Sequence, residues 1–331
     1  DMVLICLLVK KDGGLRPIGL FQSFIRIWMK ARFDIVRQWE LDDTEPCMFG
    51  GPSRGAQRAA WSATFEAKQA ALSERHAAQA LLDLAKAFEL VPHDVLILHA
   101  IRYGYPLWLL RLSLAAYRLQ RRIGVAGVYG GPARASRGIT AGSGFACVEL
   151  RLLLLRMIKD SYRVYPWIKD FGWLWIYVDD ITILWISSTW DIAADVCAAI
   201  TDHIVKWLTG PLRLVVSPSK CFAVATKLRT AVRVAAVAST PIISKRQTRL
   251  LGASATGGRV RGVKVDRERN KRARARIPRF QFLRSLGFQM DPVGRASITP
   301  VITACIDVMG RGDTALQDDR VVASRVAAAK G

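Results

Sequence analysis

The sequence predicts an α+β fold, and three observations carry that reading. Short runs rich in Ile, Val, Leu and Trp, bounded by Gly, Pro or charge, have the length and composition of strands. Longer segments repeat apolar residues every three to four positions, the period of amphipathic helices. Three strand pairs, within Met2 to Ile18, Arg121 to Gly131 and Trp173 to Trp185, read as hairpins, so antiparallel pairing is expected.

Met2 to Val9 is the first strand candidate, Lys10-Lys11-Asp12-Gly13-Gly14 a basic turn, and Leu15-Arg16-Pro17-Ile18 the returning strand. Phe21 to Glu40 carries Phe24, Ile27, Trp28, Ala31, Ile35 and Trp39 at helical spacing. This predicts one amphipathic helix with that stripe in the core and Arg26, Lys30 and Arg32 on other faces. A Gly/Pro loop over Cys47 to Gly55 precedes an alanine-rich helix, Ala56 to Ala80, of high propensity. Leu81-Leu82-Asp83-Leu84 reads as a buried strand ending at an acid, and Pro92 sets a turn before a helix from Val95 to Tyr103. Leu107 to Gln120 continues as helix. Arg137-Gly138-Ile139-Thr140-Ala141-Gly142-Ser143-Gly144 is a glycine-rich entry into a helix over Phe145 to Asp160. Such glycines let backbone approach a ligand, although the Gly-Lys-Ser/Thr ending of the best-known phosphate loop is absent. Trp190 to Leu208 has a helical period, Leu212 to Val216 reads as an edge strand, Ser217 to Val224 turns and returns, and Leu250-Leu251-Gly252 is a short apolar step.

Hydrophobic residues make up 51% of the 331, the balance of a folded chain. Lys and Arg number 49 against 27 Asp and Glu, a net charge of +22 that attracts polyanions, so DNA or RNA is the expected partner and an anionic membrane surface the weaker one. The densest basic run is Lys245 to Arg284, where fourteen Lys and Arg face only Asp266 and Glu268. Within it Ala273, Ile277, Phe280 and Leu283 mark one apolar side, Pro278 bends or breaks the helix, and the basic remainder suits a duplex backbone. The tail from Ile298 holds one more amphipathic candidate. No apolar run approaches the roughly 18 residues of a membrane span. The N-terminal apolar run precedes Lys10-Lys11 rather than following basic residues, unlike a signal peptide. Six scattered cysteines without a CxxC pair argue against structural zinc and fit a reducing, intracellular compartment.

Asp179 and Asp180 stand between two aromatic strands, where like charges repel. A divalent metal held by oxygen ligands is one expected neighbour, and an ordinary solvated turn is the other reading. Asp83, at the end of its own strand, could equally be a cap or a salt-bridge partner. If adjacent strands bring the three together, they can share two cations about 3.5–4 Å apart, the geometry of in-line phosphoryl transfer. Magnesium suits oxygen donors and phosphate-rich substrates. With the basic surplus, this points to a nucleotidyltransferase acting on a polymer.

Six segments then fall in one order: Lys11-Asp12-Gly13-Gly14-Leu15-Arg16-Pro17-Ile18, Leu82-Asp83-Leu84-Ala85-Lys86-Ala87-Phe88-Glu89, Arg137 to Ser143, Tyr177-Val178-Asp179-Asp180, Ser217-Pro218-Ser219-Lys220 and Leu251-Gly252. Over roughly residues 3 to 255 the chain resembles the reverse transcriptase domain of non-LTR retrotransposons and group II introns. The resemblance implies a right-hand polymerase: fingers over 1–80, with an insertion at 101–137, an antiparallel palm sheet with helices on one face over 81–100 and 138–250, and a thumb-like basic helical region over 251–331. It implies an RNA-directed DNA polymerase that uses two Mg2+ ions, an RNA template, a DNA primer and deoxynucleoside triphosphates. The setting would be a larger polyprotein or retroelement ribonucleoprotein, in the nucleus of a eukaryotic host or otherwise in the cytoplasm.

Residue by residue, the resemblance makes Asp83 and Asp179 the principal metal ligands and Asp180 a weaker one. Lys220 would protonate or shield the leaving pyrophosphate. Lys10 or Lys11 and Arg16 would reach the triphosphate, and Phe88 would wall off a 2′-hydroxyl. Gly138 to Ser143, with Gly142 and Ser143 nearest the nucleotide, would line the templating pair. Arg137, the Leu251-Gly252 primer grip, and Lys264, Arg267, Lys271 and Arg274 would hold nucleic acid. The family pattern is broken in three places: Ala141 replaces a usual Gln, Gly144-Phe145 replaces a Ser-Pro step, and Glu89 replaces an Asp. They raise the alternative of a catalytically weakened or inactive copy that still binds nucleic acid. An RNA-directed RNA polymerase is a further alternative, against which Phe88 stands.

Overall fold

A computed structural model describes residues 2–10, 13–51, 54–168, 172–251, 253–257 and 264–290. In chain order, β1 (Met2–Val9) and β2 (Leu15–Leu20) form the first antiparallel hairpin, followed by α1 (Ser23–Ala31), α2 (Phe33–Asp42) and α3 (Ala56–Leu72). Next come β3 (His76–Ala85), α4 (His93–Arg102), α5 (Leu107–Tyr117) and the hairpin β4 (Gln120–Val125) and β5 (Val128–Ala133). Helix α6 (Ala146–Val164) leads to β6 (Gly172–Tyr177) and β7 (Asp180–Ser187), then α7 (Trp190–Thr209), β8 (Val215–Val216), a 3-10 turn Pro218–Lys220, β9 (Phe222–Ala225), α8 (Leu228–Val237) and β10 (Ile243–Ser244). A small hairpin, β11 (Thr248–Leu250) and β12 (Ala253–Ala255), precedes α9 (Lys264–Arg274) and α10 (Ile277–Ser285).

The central sheet is built around β3. Strand β7 runs antiparallel along one edge, from His76 opposite Ser187 to Asp83 opposite Asp180. Strands β9 and β8 share the other edge, and β6 and β10 complete the order β10-β9-β3-β7-β6. Side chains of β3 alternate between two apolar clusters, as strand geometry requires. Ala78, Ala80, Leu82 and Leu84 meet the large core beneath α6 and α7, while Ala77 and Leu81 meet a second cluster. That second cluster is walled by the alanine ridge of α3, at Ala59, Ala60, Ala63, Ala67 and Ala70, and by β11–β12. The sheet is therefore covered on both faces, correcting the expectation of helices on one face. Alanines let α3 lie close enough for buried Gln79 Nε2 to donate to Ala63 O at 3.0 Å.

Three further expectations change. The helix expected over Ala56 to Ala80 ends at Leu72, and His76 already begins β3. Alanine's high helix propensity masked a strand that tertiary packing selects, and a turn with Glu74 at φ 57° separates the two. The helix expected over Phe21 to Glu40 is two helices broken at Arg32. Ile25, Met29, Val36 and Trp39 keep one helical spacing across the break and are buried, while Phe24 and Ile27 are 60% and 67% exposed. The edge strand expected from Leu212 shrinks to Val215–Val216, because Leu212 and Leu214 turn into the core around Arg213 at φ 51°.

The N-terminal sheet, order β2-β1-β4-β5, pairs β1 antiparallel to β2 and parallel to β4. Its β2 edge approaches the glycine loop, where Gly19 N–H donates to Ala141 O at 2.6 Å. Among the described residues no helix is long and apolar enough to cross a membrane. The expected tail helix beyond Ile298 lies outside the described residues, as do Lys11 and Gly252.

Candidate active site

The β3–β7 ladder places Asp83 directly opposite Asp180. Opposed residues in an antiparallel pair have Cα atoms about 4.5–5.5 Å apart, so two acids nearly a hundred residues apart in sequence become neighbours. Asp179 joins them from the two-residue turn between Tyr177 and Asp180, where Val178 takes φ 59°. A left-handed β-branched residue is rare and persists only where its surroundings hold it. Here the segment 47–49 zips onto β6: Ile176 N–H donates to Cys47 O and Phe49 N–H to Ile176 O, both at 2.8 Å. A buried ion pair, Arg151 to Glu40 at 2.8 Å, lies behind Gly51, two residues beyond that segment.

The three carboxylates act on one another. Burial first, and then repulsion from Asp179 and Asp83, push the Asp180 carboxyl up to about 7, against the pull of Lys220 and Arg249. Burial likewise raises Asp179, assisted by Asp83 and opposed by Arg16 and Lys220. Lys220, at the end of the 3-10 turn, reaches Asp83 Oδ2 at 3.3 Å. Cations from β2, the 3-10 turn and β11 thus surround a shared corner of acids. Arg249 was not singled out from sequence; it stood in the basic run without a marker, and only the β11–β12 hairpin brings it here.

The donor set fits a hard divalent cation. It consists of carboxylate oxygens whose mutual repulsion a cation would relieve. Among the described residues no three Asp, Glu, His or Cys side chains form a ready-made metal cluster.

The glycine loop lies beside this corner. Its backbone is pinned by Gly138 N–H to Val91 O at 2.7 Å, Ile139 N–H to Phe88 O at 2.8 Å and the Gly19–Ala141 bond. Gly142 has φ +118°, and a Cβ there would lie 2.2 Å from Gly19 O, so both its conformation and its contact require glycine. Phe88 is half-buried in the turn after β3, packed against the main core. The Ser143 hydroxyl turns inward, 2.8 Å from the Tyr117 phenol, and not toward the open side of the loop. Ala141 offers a methyl where an amide was expected, and its carbonyl is taken by Gly19.

Other candidates spread more widely. Arg16, exposed on β2, bears on Asp179. Lys10 is exposed at the end of β1 without a described contact to the acids, and Arg137 is exposed just before the glycine loop. Leu251 packs against the α3 cluster. Arg267, Lys271 and Arg274 are exposed on α9, whose Ala273 is buried; of Lys264 only the backbone is described.

A mixed sheet with acids on β3, on β7 and in the β6–β7 turn, and a glycine loop pinned to β2, makes a mixed α/β fold. Solved structures that match this chain include telomerases. Apo telomerase from Candida tropicalis, truncated from its C-terminal domain, matches with TM-score 0.51 and 12% identity over 77% of this chain and 53% of that one. Apo telomerase from the same organism also matches with TM-score 0.51 and 11% identity, over 77% of this chain and 46% of that one. Telomerase from the same organism in complex with a TWJ fragment of telomeric RNA gives 0.52 and 13% over 77% and 43%. The chain spans about half the length of these structures, and at this identity the likeness is one of fold. No family model matches the chain, and no curated protein does.

Proposed function

We propose that this chain is the polymerase portion of an RNA-directed DNA polymerase, adding deoxynucleotides to a primer 3′-hydroxyl on an RNA template. The observation that carries the reading is the direct opposition of Asp83 and Asp180 on β3 and β7, with Asp179 in the adjoining turn. A reverse-transcriptase-like fold supports it, as does the order of six segments similar to non-LTR retrotransposon and group II intron enzymes. A telomerase of the same fold was solved with an RNA fragment, which supports RNA as a partner here.

Asp83, Asp179 and Asp180 would hold two Mg2+ ions, which supply Lewis acidity to the primer hydroxyl and the departing phosphate. The protein's own work is positioning and charge. Arg16, on the N-terminal sheet, offers a planar donor fork to the triphosphate. Lys220 leaves Asp83 to meet the negative charge that grows on the pyrophosphate, donating a proton or a hydrogen bond. Phe88 fills the space a ribose 2′-hydroxyl would need. The exposed cations of α9 bind the template–primer backbone without reading sequence.

Primer extension by the purified protein, with magnesium, deoxynucleotides and an RNA template, tests this. The expected result is DNA synthesis lost at least about a hundredfold in Asp179→Asn. Equal silence of wild type and variant would remove the polymerase reading for this chain. A weakened copy that retains nucleic-acid binding is the second reading. It is favoured by the inward-turned Ser143 hydroxyl and by Ala141, which leave the loop with backbone alone to offer a nucleotide.

A further inference from the structure

Helix α6 carries one acid deep among its leucines. Glu149 is 0% exposed, and its Oε2 lies 2.5 Å from the Tyr117 phenol of α5, also fully buried. The same phenol lies 2.8 Å from Ser143 Oγ in the glycine loop. Ser143 Oγ in turn accepts the Phe145 N–H at 3.2 Å and reaches Met29 Sδ of α1 at 3.7 Å. Ser113 on α5 and Tyr105 before it face the same carboxyl, and among the described residues no basic side chain bears on it. A leucine would fill this place at lower desolvation cost, so packing alone does not account for an acid here.

The structure assigns Glu149 and Tyr117 a positioning role: the pair latches Ser143 and, through it, fixes the glycine loop beside the nucleotide site. The purpose of the latch rests on the polymerase reading, whereas its existence does not. Hydrogen-bond direction makes it consistent in either charge state. When Glu149 is neutral, its carboxyl donates to the phenol, the phenol donates to Ser143, and the serine proton is free for Met29 Sδ. When Glu149 is ionised, the phenol donates to the carboxylate and Ser143 donates to the phenol. The three oxygens stay linked in both forms. In Glu149→Gln the amide N–H takes over donation to the phenol. In Tyr117→Phe the ring packing remains and the link is cut.

Hydrogen–deuterium exchange at one fixed pH tests the latch without requiring turnover. Tyr117→Phe and Glu149→Ala should speed amide exchange across 138–146 roughly five- to tenfold. Amides of β3 and β7 should keep wild-type protection, and Glu149→Gln should keep the loop near wild type. Unchanged loop exchange in Tyr117→Phe, or equal acceleration of loop and sheet in both Tyr117→Phe and Glu149→Gln, overturns the assignment. Where extension activity is measurable, Tyr117→Phe should raise the deoxynucleotide KM by a larger factor than it lowers kcat. Faster loop exchange in a protein that makes no DNA would leave the latch standing and the polymerase reading refuted. Unaltered exchange with normal synthesis would do the reverse.

Discussion

Asp180 sits close to two other acids and still lies partly open to solvent, a position that costs the folded protein unless positive charge arrives. Lys220 supplies part of that charge through Asp83. Lys220→Met should therefore lower kcat for extension roughly a hundredfold with little change in deoxynucleotide KM, as measured by steady-state kinetics. Phe88→Val should open space beside the sugar and raise ribonucleotide incorporation relative to deoxynucleotide at least about tenfold; an unchanged ratio would show that the ring is not the discriminator. Glu149 provides a pH prediction. Burial pushes its carboxyl up to about 7 from an ordinary value of 4.5, so between those values the unfolded chain has released a proton that the folded chain retains. Stability should then fall as pH rises through this window, at up to roughly 1.4 kcal/mol per pH unit, and Glu149→Gln should flatten that fall in denaturant unfolding. The pair at 179 and 180 stood out because adjacent carboxylates inside an aromatic run are unusual, whereas Asp83 stood alone at the end of its strand and the β3–β7 pairing brings it opposite Asp180. Glu149 was not legible, because one acid in a helical sequence looks like an exposed position until the helix is seen buried on all sides.

At the scale of elements, the glycine loop and β2 form one interlocked unit. Gly142→Ala would set a Cβ against Gly19 O at a left-handed φ, and should destabilise the fold by about 2 kcal/mol or more in denaturant unfolding. Gly144→Ala, whose added Cβ would meet only Met29 Cβ at an ordinary 3.5 Å, should cost far less. The hairpins and α7 were readable because their periods agree with their final environment. Strand β3 was only half readable: Leu81 to Leu84 announced it, but Ala77, Ala78 and Ala80 have the composition of a helix. The break at Arg32 is marked by no Pro or Gly, and the stripe through Phe24 and Ile27 was placed in the core when Ile25 and Met29 occupy it, because both sets have helical spacing and the period alone does not choose between neighbouring faces.

For the whole molecule, charge and topology answer different questions. A net +22 speaks for a polyanion partner but says nothing of which chemistry follows, whereas the sheet order decides whether Asp83 meets the distant pair Asp179 and Asp180. Replacing Lys271 and Arg274 by Gln should lower the slope of log affinity against log salt for an RNA–DNA hybrid by about 1–2, leaving sequence preference unchanged. The most direct test of the central claim is Mn2+ binding, followed by electron paramagnetic resonance, with primer–template and a non-hydrolysable deoxynucleotide present. About two ions should bind per wild-type chain, and Asp83→Asn and Asp179→Asn should each weaken that binding at least tenfold. Equal binding by wild type and both variants would contradict a metal site at the β3–β7 corner.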